Sequence, residues 1–99
     1  MNFKNNDLEE KLNFALANLQ KNNLEKASNI YKKILKKYPN NFDANFNLGT
    51  ILAKNNNLKK SAELLEKAAK INPNVEKIFN NLGLIYLNLG VNDKALENV

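Results

Sequence analysis

The amino-acid sequence predicts an all-α fold, an α-solenoid of stacked antiparallel helix hairpins, from three observations. The chain resembles itself at an offset of 34 residues, so that Pro39 coincides with Pro73 and Gly49 with Gly83. Apolar residues within each copy recur at the spacing of one helix face. Asn-rich breaks separate these apolar segments. A period of this length is typical of helix-turn-helix units that stack, because a single hairpin cannot bury its apolar face alone.

Residues 1–7 are predicted to form a leader, in which Asn6 or Asp7 caps the first helix by accepting a hydrogen bond from an unpaired backbone N–H. The first repeat, residues 8–41, then contains two apolar segments that are separated by a polar Asn-Asn break. Their apolar positions are Leu8, Leu12, Phe14, Ala15 and Leu19, followed by Leu24, Ala27, Ile30, Tyr31, Ile34 and Leu35. This spacing predicts a helical hairpin.

The second repeat, residues 42–75, predicts one helix from about Phe42 to Lys54 and another from Leu58 to about Ile71. Three consecutive Asn residues separate the two helices, and a proline follows the second helix. Because proline has no backbone N–H to donate, it ends that helix. At the turns, Asn is expected either to cap the next helix or to adopt the left-handed conformation that ends the previous one.

The third repeat, residues 76–99, begins another hairpin and stops about two turns into its second helix. Repeat arrays usually end in a capping helix with a polar outer face, and none follows here. We therefore expect that the chain is a fragment of a longer protein or a truncated reading frame, or that an oligomer covers its end.

Small residues recur where the two helices of each repeat are expected to cross, and they allow the two backbones to approach closely. The pairs are Ala15 with Ala27, Gly49 with Ser61, and Gly83 with Ala95. Substituting Gly49 or Gly83 by Leu is therefore expected to overpack the hairpin and to destabilise it by about 1 to 3 kcal/mol.

The order of residue types in the repeat resembles that of the tetratricopeptide family, over residues 8–99. That family has a bulky aromatic residue, then Leu-Gly, a second aromatic residue and a helix-crossing Ala. The third copy matches these positions with Phe79, Leu82, Gly83, Tyr86 and Ala95. The first two copies depart from the pattern at the leading aromatic position, which is Lys11 in one and Asn45 in the other. The resemblance implies a right-handed superhelix with the first helices along a concave groove and the second helices on the convex back.

This resemblance implies a peptide-binding groove on the first helix of each repeat. Its expected positions are Glu9, Leu12, Asn13 and Leu16 in the first repeat, Asp43, Phe46, Asn47, Thr50 and Lys54 in the second, and Lys77, Asn80, Asn81 and Leu84 in the third. Leu12, Leu16 and Phe46, together with the neighbouring Leu19, suggest a groove that accepts apolar side chains or an amphipathic helix. Alternatively, some of these residues pack against neighbouring helices, above all Leu19.

Asn13, Asn47 and Asn81 occupy equivalent places in the three copies. Because the Asn amide has both donors and an acceptor, a column of them can hydrogen-bond the backbone of an extended peptide. It resembles the Asn ladder of the long arrays that precede O-linked glycosyltransferase domains. The substitution Asn47→Ala is then expected to weaken a peptide ligand and to leave the melting temperature unchanged.

The family's carboxylate clamp, which grips the C-terminus of chaperones, is matched only by Asn47 and Lys77. Leu12 and Leu16 replace its first Lys and Asn, and Asn81 replaces its Arg. Most of the charge that would hold a carboxylate is therefore missing, and binding of chaperone tails is not expected.

The composition argues against an enzyme. The chain has no His and no Cys, so common catalytic triads, zinc sites and disulfides are excluded, and we expect no metal and no cofactor. All 15 cationic side chains are Lys, and the formal charge is +5. The absence of Arg argues against sequence-specific recognition of nucleic acid. The clustered lysines, expected to form a solvated convex face, are Lys32, Lys33, Lys36, Lys37, Lys67 and Lys70.

The predicted function is that of a protein-interaction scaffold, cytoplasmic and not inserted in a membrane, that binds a peptide or helix of a partner. One alternative is the N-terminal recognition part of a larger enzyme, such as a glycosyltransferase or sulfotransferase. Another is a self-associating module, a homo-oligomer in which the exposed surface of Phe79, Leu82 and Tyr86 pairs with a second copy.

Overall fold

Five α-helices joined by short turns make up the part of the chain that the computed structural model describes, residues 3–90, and this part contains no strand. The helices are α1 (Phe3–Gln20), α2 (Leu24–Lys37), α3 (Phe42–Lys54), α4 (Leu58–Ile71) and α5 (Glu76–Leu89). The predicted all-α solenoid is confirmed, and α3 and α4 have the predicted bounds. The expected second helix of the third repeat, with Ala95, lies outside the described residues.

The predicted leader is wrong for residues 3–7, because α1 already begins at Phe3. Asn6 and Asp7 therefore lie inside the helix and not before its first residue. Asp7 forms an ion pair with Lys11 one turn later, with 3.3 Å between Oδ2 and Nζ. Pairs of opposite charge at this spacing stabilise a helix, so a polar turn can extend the helix without an apolar face.

Asparagine has both of the roles predicted at the turns. Asn22 and Asn56 have φ values of 65° and 64°, the left-handed conformation that ends α1 and α3. Asn41 instead caps α3, where its side chain accepts a hydrogen bond from the Ala44 backbone N–H at 2.9 Å. The abundance of Asn at the turns therefore has a local structural cause in each of these places.

Each helix packs against the next along the chain, and α3 also contacts α5. The first core is formed by Ala15, Ala27, Tyr31, Ile34, Ala44, Leu48, Ile51 and Leu52. The second core is formed by Ala62, Leu65, Ala68, Ile78, Leu82 and Ile85. Phe42, Phe46 and Ala53 of α3 pack against the second core, while α3 supplies buried residues to the first. The third helix therefore joins the two cores into one stack.

Helices α3 and α4 pack closely at Gly49, as the small residues predicted. The hydroxyl of Ser61, which is fully buried, donates to the Gly49 carbonyl with 2.6 Å between the oxygens. Ala15 and Ala27 are likewise fully buried in the first core. At Gly83, by contrast, an added Cβ would meet no atom of the described residues within 4 Å. Its predicted partner Ala95 lies outside that part of the chain, and overpacking at Gly83 stays a prediction.

Replacing Ser61 with Ala is expected to lower the free energy of unfolding by about 1 kcal/mol, because a buried hydrogen bond to Gly49 is lost. Urea denaturation followed by circular dichroism measures this change. Ser28→Ala is a suitable control, since Ser28 is also buried but lies on α2, away from the contact between Ser61 and Gly49. Equal stability losses in the two variants would contradict the assigned role of the Ser61 hydroxyl.

Candidate peptide-binding face

The thirteen positions predicted to line a groove all lie at the surface, on α1, α3 and α5, and we call them the first-helix face. Eight are exposed: Glu9, Asn13, Leu16, Asp43, Lys54, Lys77, Asn80 and Leu84. Five are half-buried: Leu12, Phe46, Asn47, Thr50 and Asn81. Contact between α3 and α5 places the second and third sets side by side, whereas α1 is joined to α3 through α2.

Several of these side chains have a structural role in addition to their exposure. Leu12 packs against the first core, as does Leu19, for which packing was the favoured alternative. Phe46 packs against the second core and stacks on Phe42, with 5.8 Å between the ring centroids. Thr50 donates its hydroxyl to the Phe46 carbonyl at 2.9 Å. The more accessible apolar side chains of the face are Leu16, 42% exposed, and Leu84, 61% exposed.

The middle residue of the Asn column is held in place by a buried tyrosine. Asn47 donates its Nδ2 to the hydroxyl of Tyr31 of α2, at 3.0 Å. Burial raises the pKa of the Tyr31 phenol, an effect that the hydrogen bond from Asn47 partly offsets and the nearby Asp43 carboxylate increases. Tyr31 is therefore protonated at neutral pH, and its hydrogen bond to the amide restrains the Asn47 side chain.

Sequence reasoning identified Asn13, Asn47 and Asn81 but missed Tyr31 as the residue that orients one of them. A buried tyrosine hydroxyl needs a hydrogen-bond partner, and this requirement is the signal that could have found the pair. Asn13 is exposed and Asn81 half-buried.

Of the predicted self-association surface, Phe79 is exposed, Tyr86 is half-buried and Leu82 is buried, so the exposure expected of Leu82 is wrong, while self-association stays a prediction. Leu82 is buried in the second core, and Tyr86 packs against that core from its edge. The Tyr86 hydroxyl donates to the Glu66 carboxylate. Burial of the phenol is the larger cause, and the hydrogen bond and charge of Glu66 add to it, so that the pKa of Tyr86 is raised to about 12. Phe79 alone among them is exposed, because α4 covers the other two.

Within residues 3–90, no three acidic side chains lie close enough together to hold a metal ion. None of the helices in the same part combines the length and the apolar character needed to cross a bilayer.

Comparison with known proteins finds a matching family and similar solved structures. A family model described as tetratricopeptide repeat matches residues 12–76. Three solved structures of MamA, two of them mutants and one titled AMB-1, each superpose with a TM-score of 0.80 at 21% sequence identity. They align with 91%, 92% and 91% of this chain, which spans 50%, 66% and 49% of theirs. No curated protein matches the chain.

Proposed function

Because the chain belongs to the tetratricopeptide repeat family, we propose that it binds an extended segment of another protein along the first-helix face. The family match supports an interaction scaffold in general. The likeness to MamA concerns the fold, and this chain spans about half the length of two of the three MamA chains. Recognition without chemistry, a peptide as the ligand and a cytoplasmic location are parts of this proposal.

The observation that carries the proposal is the anchoring of Asn47. Its amide is hydrogen-bonded to the buried hydroxyl of Tyr31, and this bond restrains the Asn47 side chain. The Oδ1 atom of the same amide has no recorded partner among the described residues and lies on a half-buried side chain. A preorganised acceptor binds a backbone N–H with a smaller loss of side-chain entropy than a freely rotating one. Main-chain recognition at this point is therefore favoured.

The side chains around the Asn column provide the apolar part of the proposed contact. Leu16 and Leu84 occupy equivalent places in the first and third repeats, with Thr50 between them. Both leucines are substantially exposed, so a ligand that covers them gains stabilisation from the burial of apolar surface. We propose that the ligand presents apolar side chains to these leucines and main-chain N–H groups to the Asn column.

The substitution Asn47→Ala is expected to weaken binding about tenfold, because the ligand loses an oriented hydrogen bond. The ligand is a fluorescent peptide selected by the full chain from a random library without Asp or Glu, and titration by fluorescence anisotropy gives Kd. The sequence alone predicted an unchanged melting temperature for this variant, but Asn47 is hydrogen-bonded to Tyr31. The substitution is therefore also expected to lower the free energy of unfolding by about 1 kcal/mol and to lower the melting temperature.

The matched control is Tyr31→Phe, which removes the same intramolecular hydrogen bond but keeps the Asn47 amide. Both variants are expected to lose similar stability, while Tyr31→Phe retains more of the affinity. If the selected peptide bound Asn47→Ala and the wild-type chain equally well, the Asn column would not be its site. Equal weakening in the two variants would assign the effect to stability.

A further inference from the structure

A cleft of about 740 Å³ opens on the side of the second helices, between α2 and α4. We call it the second-helix cleft. Its apolar lining comes from three helices: Leu35 on α2, Leu48 and Leu52 on α3, and Leu64 on α4. Leu48 and Leu52 are buried and the other two are half-buried, so the leucines form the floor. The volume is within the range of ligand-binding pockets, about 300 to 1,000 Å³.

Lysines surround this apolar floor. Lys32 and Lys36 of α2 and Lys60 and Lys67 of α4 all line the cleft, with Glu63 as the one acidic lining residue. Among the described residues, none of these four lysines forms an ion pair. The ion pair in this part of the chain joins Asp7 and Lys11 of α1. Four lysine cations around an apolar floor are complementary to a ligand that carries both carboxylates and apolar side chains.

A buried acceptor without a partner lies in the same cleft lining. Asn45 is 1% exposed, and its Nδ2 donates to the carbonyls of Pro39 and Asn41 at 3.0 and 2.8 Å. Its Oδ1 has no hydrogen-bond partner among the described residues. A buried carbonyl oxygen in this state is destabilising, and an N–H donor that reached this oxygen would remove the penalty. The main chain of a peptide has such donors.

We propose that the second-helix cleft binds an acidic peptide segment of a partner protein, with apolar side chains on the leucine floor and carboxylates on the lysines. This site is lined by α2, α3 and α4 and shares no lining residue with the first-helix face. The chain is thus a scaffold with two peptide sites, one that reads main-chain groups and one that reads charge.

The experiment begins with selection by the full chain from a random peptide library. Peptides that combine Asp or Glu with Leu, Ile or Phe are expected to be enriched. An enriched peptide is then labelled and titrated against Lys36→Gln/Lys60→Gln, which removes one charge from each wall of the cleft. We expect a Kd about tenfold higher than that of the wild-type chain, and an affinity that falls as salt increases.

The matched control is Lys33→Gln/Lys59→Gln, which has the same net charge and changes exposed lysines of the same two helices outside the cleft lining. This variant is expected to bind the acidic peptide as the wild type does. Asn47→Ala is also expected to leave this affinity unchanged, so the two proposed sites can fail independently. Circular dichroism of each variant verifies that the fold is retained.

Three results would overturn the proposal. Equal weakening in the two double variants would show general attraction between a basic protein and an acidic peptide. Failure to enrich acidic, apolar peptides would show that the cleft does not select them. Binding of phosphatidylserine vesicles or of an oligonucleotide that depends on Lys36 and Lys60, without binding of the peptide, would assign the cleft to a different class of partner.

Discussion

Replacing Leu65 with Ala is expected to lower the free energy of unfolding by about 2 to 5 kcal/mol. Leu65 of α4 is fully buried and belongs to the second core. It also contacts α3 beside Gly49, so its removal leaves a cavity where the two helices of the second repeat meet. Small domains of this kind have a total stability of about 5 to 15 kcal/mol. The variant is therefore expected to be partly unfolded under conditions that the wild type tolerates.

A matched control is Leu87→Ala on α5, which truncates a leucine that is 60% exposed. Surface truncations usually change stability by less than about 0.5 kcal/mol. Urea denaturation of the full chain measures both variants. Similar losses in the two, or a loss below about 1 kcal/mol for Leu65→Ala, would contradict the position of Leu65 in the core.

The second repeat could be predicted from the sequence because local signals and packing agree there. The apolar spacing gives the two helices, three consecutive Asn residues give the turn, and the pair Gly49 and Ser61 gives the crossing point. The start of α1 could not be predicted in the same way. Residues 3–7 lack the apolar period by which helices are recognised, and the Asp7–Lys11 pair is a weak signal in a sequence rich in charges.

The sequence could predict a candidate site only where its residues occupy the same position in each repeat. The Asn column follows from the offset of 34 residues, whereas the bond between Tyr31 and Asn47 joins helices of different repeats. The second-helix cleft also depends on contacts between repeats, since Lys36 and Lys60 line the same cleft only when α2 and α4 are packed around α3. A position-by-position comparison of the repeats gives no distance between repeats. The solvated face predicted for Lys36 therefore omitted the cleft, and Lys60 was not predicted as part of that face.

Asn45 links the departure from the family pattern to this cleft. It stands where the pattern has a bulky aromatic residue, and Phe79 holds the equivalent place in the third repeat. Its side chain is smaller than an aromatic ring, and the amide donates to the carbonyls of Pro39 and Asn41. The departure therefore leaves the hairpin intact and gives the cleft a polar group in its lining.

Replacing Gly49 with Leu is expected to destabilise the chain by about 1 to 3 kcal/mol, even though Leu favours helix over Gly by nearly 1 kcal/mol. A Cβ at this position would lie 2.9 Å from Cγ and 3.0 Å from Cδ2 of Leu65, and 3.4 Å from Cβ of Leu64. Because Leu65 is fully buried, it cannot swing into solvent to relieve the clash. Gly49→Ala is expected to show a smaller loss in the same urea denaturation.

A double-mutant cycle between Gly49→Ala and Leu65→Ala tests this contact directly. Each single variant is expected to be destabilised, but the cavity left by Leu65→Ala receives the methyl group that Gly49→Ala adds. The double variant should therefore be more stable than the sum of the single losses predicts, by about 1 kcal/mol, since residues in contact are not additive. Strict additivity would mean that Leu65 does not face Gly49, and the register of α4 against α3 would have to be revised. A positive coupling would confirm the point at which α3 and α4 cross. The positions of both proposed sites depend on this crossing point.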